Sequence, residues 1–315
     1  MTTYRPKEEI REGFEVYDER FRQMLPEGVE LERHFTGTAW AEGPVYFSDG
    51  DYVVWSDIPN DRMMRWSISE GASVFRVPAG YTNGNYRDRQ GRLVSCEHGN
   101  RCISRTEADG SVVTLVDRYD GNRLNSPNDL VVKSDGTIWF TDPPYGILSD
   151  REGHKADDEL GANYVFRFDP ETGELRIVSD DFDRPNGLCF SPDECILYVV
   201  ESRGVPYRKI LAYDVGEDGK TISNKRVHID AGPDGTPDGM RCDIDGNLWC
   251  GWGMGSADLD GVMVFAPDGT KIGRIALPER CANVCFGGAE RNRLFMAASQ
   301  SLYSLYVNVR GAVGG

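Results

Sequence analysis

The chain has 315 residues, with 51 acidic and 35 basic side chains and a formal net charge of −16. That balance argues against nucleic acid or an anionic membrane surface as a partner. Hydrophobic residues make up 39% and charged residues 27%, an ordinary globular composition, and no stretch approaches the roughly 18 apolar residues of a membrane span.

The N-terminus, Met1 to Arg11, is charged and has no apolar core, so no signal peptide is expected. Glu8–Met24 has weak helical character, and residues 1–28 are expected to form a partly helical extension. Residues 29–315 are expected to form one domain. Helical periodicity is nearly absent there, which counts against a two-domain α/β protein; a β-sandwich is the structural alternative.

From Glu42 onward one unit recurs. A polar residue leads an apolar run, a turn follows eight residues later, and a second apolar run returns. Glu42 leads Glu-Gly-Pro-Val-Tyr-Phe, with Gly50 in the turn and Tyr52–Ser56 returning. Asn83, Gly91 and Arg92–Cys96 repeat this order. Asn128, Gly136 and Thr137–Thr141 show it most clearly, around a Ser134-Asp135-Gly136 turn. Asn186 has Glu194 and Ile196–Val200, Asp238 has Gly246 and Asn247–Cys250, and Asn283 has Arg291 and Arg293–Ala297.

The spacings of the leading residues are 41, 45, 58, 52 and 45. Six units of this length, each a run of strands, match the blades of a propeller. After Asn283 three strands remain, ending with Leu302–Asn308. The stretch Val29–Phe35 precedes Glu42 as Val112–Asp117 precedes Asn128. The expected fold is therefore all-β: a six-bladed β-propeller closed by an N-terminal strand that completes the last blade, leaving no open sheet edge.

In a propeller the first strands line the central channel, so equivalent leading residues form a ring: Glu42, Asn83, Asn128, Asn186, Asp238 and Asn283. Asn and Asp also favour turns for local reasons. Six oxygen-bearing side chains in register, two of them carboxylates, point instead to a hard divalent cation. Two carboxylates on one axis repel unless a cation neutralises them or one takes up a proton.

Second strands return to the ring face, so the loops after them surround it. The longest is Pro143–Ala162, with Tyr145 and the acidic run Asp157-Asp158-Glu159. His98 follows Glu97 at the end of a second strand and is read either as a mouth residue touching substrate or as a structural histidine. Asp57, Glu97, Asp142 and Glu201 end second strands, as supports for the ring or as solvated caps.

No nucleophile elbow, Walker loop, dinucleotide fingerprint or His-Glu-x-x-His is present. The eight cysteines form no Cys-x-x-Cys pair and read as free thiols in a reducing cytoplasm. The available groups suit metal-assisted hydrolysis of a neutral electrophile such as a lactone. Asp238 is the expected base, and Asn128 and Asn83 would hold substrate.

Ala41-Glu42-Gly43-Pro44, Ser126-Pro127-Asn128-Asp129, Arg184-Pro185-Asn186-Gly187 and Pro237-Asp238-Gly239-Met240 resemble motifs of the gluconolactonase and regucalcin (senescence-marker protein) family. The resemblance covers residues 29–308. Trp55-Ser56-Asp57 and Thr141-Asp142-Pro143-Pro144-Tyr145-Gly146 place it nearer the bacterial gluconolactonases. It implies a six-bladed propeller that hydrolyses sugar-acid lactones in carbohydrate metabolism. It implies one divalent metal on Glu42, Asn186 and Asp238, with Asp238 also the acid/base. Asn128, Asn83, His98 and Tyr145 are the expected substrate contacts.

Ca²⁺ is the first expectation for the metal, with Mg²⁺, Mn²⁺, Zn²⁺ or Fe²⁺ as alternatives. The expected partner is a small-molecule lactone, and the expected state a cytoplasmic monomer or small homo-oligomer. One departure stands out: the animal branch has an arginine two residues before Asn128, and Ser126 is here. The competing readings are a related propeller hydrolase of phosphotriesters or aromatic lactones, and a non-catalytic binding module in which the metal only stabilises.

Overall fold

The computed structural model describes residues 13–233, 235–254 and 256–312. It is a six-bladed β-propeller. Blade 1 runs Ala41–Phe47, Tyr52–Asp57, Arg62–Ser67 and Gly71–Arg76; blade 2 begins at Thr82–Arg87 and blade 3 at Leu130–Val132. Blades 4 and 5 begin at Pro185–Phe190 and Met240–Cys242. Each blade is an antiparallel sheet, and in blades 1 to 4 all neighbours are in chain order, as a repeated hairpin pattern requires.

Blade 6 consists of Cys281–Gly287, Arg293–Ala298 and Ser301–Tyr306, and its outer strand is Glu32–Thr36. Glu32 pairs with Ser304 and Thr36 with Ser301. The ring is closed by the N-terminal strand, as the sequence predicted.

Ahead of residue 29 the described residues are only partly helical. Glu19–Met24 is a single short helix capped by Asp18, while Phe14–Val16 is a strand that pairs with Lys271–Ala276 and gives blade 5 a fifth strand. Residues 8–12 of the expected helix lie outside the described residues. Phe21 is fully buried and sits over Gly273, where any Cβ would come within 2.0 Å of its ring. The helix is held by that fit rather than by its own propensity.

Between the blades, second strands bury their alternate large side chains. Trp55, Trp139 and Trp249 are fully enclosed, with Phe21 6.2 Å from Trp249 between ring centroids. Such burial contributes on the order of 3 kcal/mol for each large side chain. All eight cysteines are free thiols, and seven are buried.

The far end of the channel carries the tight turns. Gly91, Gly136 and Gly246 occupy left-handed backbone there, with φ of 80°, 86° and 82°. The C-terminal segment crosses the same end, where Ala312 N–H donates to Cys242 O and Gly311 N–H to Arg291 O.

Candidate functional site

The first strands are bulged where they reach the axis. Register slips between Glu42 and Val45, between Thr82 and Asn85, and between Pro185 and Leu188. Each bulge puts two consecutive residues on the channel. The upper residues are Glu42, Asn83, Asn128, Asn186 and Asp238, and these five line one cavity of about 200 Å³.

The sixth upper position is Ala282, not Asn283. Gly84 N–H donates to Asn128 O, and in the same pattern Gly239 N–H donates to Ala282 O. Ala282 therefore matches Asn128, and Asn283 matches Asp129. The eight-residue rule misplaces it because blade 6 carries one more residue before its turn, at Arg291 with φ 54°.

The lower tier is made of Gly43, Gly84, Asp129, Gly187, Gly239 and Asn283. The glycines are required by space: a Cβ on Gly239 would meet Asn283 Cγ at 2.0 Å, and one on Gly84 would meet Asp129 Oδ1 at 2.5 Å. Asp129 and Asn283 fill the channel across from one another. Asn283 Nδ2 donates to Glu42 Oε2 at 3.1 Å and lies 3.4 Å from Asp129 Oδ2. Below them Arg241 Nη1 lies 3.5 Å from Asp129 Oδ2, with the guanidinium carbon 5.4 Å from the Tyr86 ring centroid. Sequence reasoning missed this stack; the one available signal was a charged residue, Asp129, where the other motifs have glycine.

Burial dominates the electrostatics. It pushes the Glu42 carboxyl well above the usual carboxylate range, and the nearby Asp238 and Asp129 charges push it further. Gly43 N–H, at 2.7 Å from Oε2, opposes this. Burial raises Asp238 to about 6, against the pull of Arg280. Arg280 Nη2 donates to Asp238 Oδ2 at 2.5 Å, and its guanidinium carbon lies 5.2 Å from the Trp40 ring centroid.

Two carboxylates placed together at such cost fit a divalent cation. Among the described residues no three His, Cys, Asp or Glu side chains converge on one point, so any cation held here would draw its remaining oxygens from amides. Asn186, Asn128 and Asn83 line the same cavity and supply the hard neutral donors such ions accept.

Tyr145, an expected substrate contact, lines the cavity, and its hydroxyl is hydrogen-bonded to Ser202 Oγ. The Pro143–Ala162 loop reaches the site through Tyr145 and Glu152, while Glu159 faces outward to Arg101 at 3.2 Å. Ser126 is fully buried and does not reach the cavity. Its hydroxyl donates to Pro143 O at 2.6 Å and accepts from Gly146 N–H at 2.9 Å, clasping the loop.

Three of the four strand-end acids are loop clamps. Asp57 accepts from Ala39 N–H, Asp142 from Asn125 N–H and Glu201 from Asp183 N–H. None lines the cavity, because each is turned back onto the segment entering its own blade.

His98 is not a mouth residue. It is 1% exposed, and both ring nitrogens are occupied. Glu152 O lies 3.0 Å from Nδ1, so Nδ1 carries the proton. Nε2 then accepts from Asn83 Nδ2 at 3.2 Å, which fixes the amide orientation of Asn83.

Burial depresses the His98 pKa to about 4, below its unfolded value of about 6.5. Above pH 6.5 this shift contributes nothing to stability. As pH falls from 6.5 to 4 the unfolded chain takes the proton first, so on the order of 3 kcal/mol is lost. His98→Asn is expected to flatten the melting-temperature profile between pH 6.5 and 4; a profile as steep as wild type contradicts the assignment.

Residues 40–300 match the SMP-30/Gluconolactonase/LRE-like region. The gluconolactonase of Zymomonas mobilis is 33% identical over 311 residues, spanning 91% of this chain and 83% of that protein. A pentonolactonase of Haloferax volcanii is 27% identical, spanning 84% and 83% respectively. The structure of the gluconolactonase XC5397 from Xanthomonas campestris superposes with a TM-score of 0.86 at 38% identity, covering 94% of this chain and 95% of that one. The chain belongs to the SMP-30/gluconolactonase/LRE-like family.

Proposed function

We infer that the protein is a lactonase that opens sugar-acid lactones of the gluconolactone type to their aldonic acids. The reading includes a divalent cation, Ca²⁺ first among Ca²⁺, Mg²⁺, Mn²⁺, Zn²⁺ and Fe²⁺, held by Glu42, Asn186 and Asp238. The observation that carries it is the cavity in which two buried carboxylates and three carboxamides meet on the propeller axis.

When bound, the cation supplies Lewis acidity at the lactone carbonyl oxygen. Asp238 accepts a proton from the water that attacks the carbonyl carbon. The ring C–O bond then breaks, and Asp238 returns that proton to the departing ring oxygen. Arg280 keeps the carboxylate oriented through its bond to Oδ2. Asn83, fixed by His98, and Asn128 hold substrate hydroxyls, and Tyr145 closes the wall beside Ser202. Cytoplasmic placement rests on the free, mostly buried cysteines; among the described residues no helix is long and apolar enough to cross a membrane.

The test is proton release from a panel of sugar and aromatic lactones by cation-stripped protein re-supplied with each metal. Stripping is expected to lower turnover at least about 100-fold. Re-supply at 100 times Kd is expected to restore it and add about 2.7 kcal/mol of stability, read as a rise in melting temperature. No turnover with any pairing of lactone and metal sinks the enzyme reading.

A further inference from the structure

The cavity has walls of different character. Trp40, Ile58 and Met254 supply apolar surface, and the ring carboxylates and amides form the floor. Arg203 and Arg208, on the connection after the second strand of blade 4, supply a cationic wall. Blade 4 stands opposite blade 1, so Arg203 and Arg208 lie across the cavity from Ile58, while Met254 comes from the neighbouring blade 5.

In so acidic a chain, most arginines are matched to carboxylates within 4.0 Å. Among the described residues Arg203 and Arg208 form no such ion pair, and neither does Arg184, whose guanidinium carbon lies 5.9 Å from the Tyr145 ring centroid. Arg280, the other cavity arginine, is engaged by Asp238.

The segment is anchored. Ser202 Oγ donates to Arg184 O at 2.7 Å, and Arg208 Nε donates to Ser202 O at 3.1 Å. That bond fixes the guanidinium while leaving its terminal nitrogens to solvent or ligand. Tyr145 stands within electrostatic reach of Asp238 and of Arg203 and Arg184, so the reacting end and the cationic wall belong to one continuous site. Guanidinium groups bind carboxylate and phosphate oxygens in bidentate geometry, and nothing in the hydrolysis of a neutral lactone requires two of them.

We propose that Arg203 and Arg208 form a subsite for an anionic substituent carried on the lactone away from its reacting carbonyl. The substrates then favoured are sugar lactones bearing a second carboxylate or a phosphate ester at the far end of the carbon chain. This rests on the lactonase reading and deepens it, because it names the class of lactone.

The experiment compares kcat/KM for three lactones of matched ring and stereochemistry: neutral, carboxylated at the terminal carbon, and phosphorylated there. Wild type is expected to prefer at least one anionic lactone tenfold or more, with the preference falling as salt rises. In Arg203→Ala/Arg208→Ala the anionic-to-neutral ratio falls at least tenfold, through KM rather than kcat, and Arg203→Lys/Arg208→Lys keeps part of it. A gain on the carboxylated or the phosphorylated lactone alone supports the proposal and names the anion. Neutral-lactone turnover with no anionic preference in wild type overturns the subsite while leaving the lactonase reading intact. So does a ratio unchanged in a double variant that melts like wild type. Absence of turnover on all three defeats both readings.

Discussion

Asp238→Asn is expected to lower kcat at least a thousandfold without lowering the melting temperature of cation-stripped protein. The substitution keeps the shape of the side chain, which is 4% exposed on the axis, but an amide cannot take up and return a proton. Loss of a general acid/base costs typically about 10²–10⁴ in rate, and loss of a negative cation ligand adds to it.

The stability half of the expectation has a separate cause. Glu42 and Asp238 are buried together, and each feels burial and a like charge. Replacing one carboxylate by an amide removes that repulsion, so a purely structural role for Asp238 predicts the opposite sign. Arg280 loses its partner but remains 20% exposed against Trp40, which moderates the loss. Glu42→Gln separates the two roles: saturating cation is expected to recover much of its kcat, whereas Asp238→Asn stays inactive. Turnover by Asp238→Ala within threefold of wild type would remove it as the base.

Asp129→Ala is expected to destabilise the protein by about 3–5 kcal/mol, the usual consequence of stranding a buried charge. Arg241 is 2% exposed and has few partners: Nη1 bonds Met240 O at 2.7 Å and reaches Asp129 at 3.5 Å. Its Nε and Nη2 have no protein partner. Without Asp129 the guanidinium is left with the Tyr86 ring face and one carbonyl.

For a domain of this size that loss lowers the melting temperature by roughly 5–10 °C. Removing both charges in Asp129→Leu/Arg241→Met is expected to recover most of it, because an apolar pair carries no desolvation cost. The double-mutant cycle measures the coupling directly. If the double variant melts as low as Asp129→Ala, the pair is not what makes Asp129 necessary. The substitution also frees Asn283 from one of its two carboxylate contacts, so cation affinity is the second quantity to measure.

The architecture and five of the six upper channel positions were legible in the amino-acid order alone. Both follow from local facts. A polar residue, an apolar run and a tight turn recur at blade spacing, and alternation along a strand is legible wherever both strands of a hairpin are close in the chain. The missing outer strand of blade 6 was legible too, since counting strands left one place to fill.

The features that could not be read there depend on residues distant in the chain. Whether Ala282 or Asn283 occupies the upper tier is fixed by a hydrogen bond from Gly239, and no spacing within blade 6 reveals it. Phe14–Val16 became a strand because Lys271–Ala276 offered it an open edge, against a weak helical tendency. His98 was drawn behind Asn83 by a carbonyl from the long loop, and Arg280 was brought onto Asp238 from the next blade's entry. Local periodicity names the residues that face the axis. Which of them touch is set by how six separately legible hairpins lock around it, and that is a property of the closed ring.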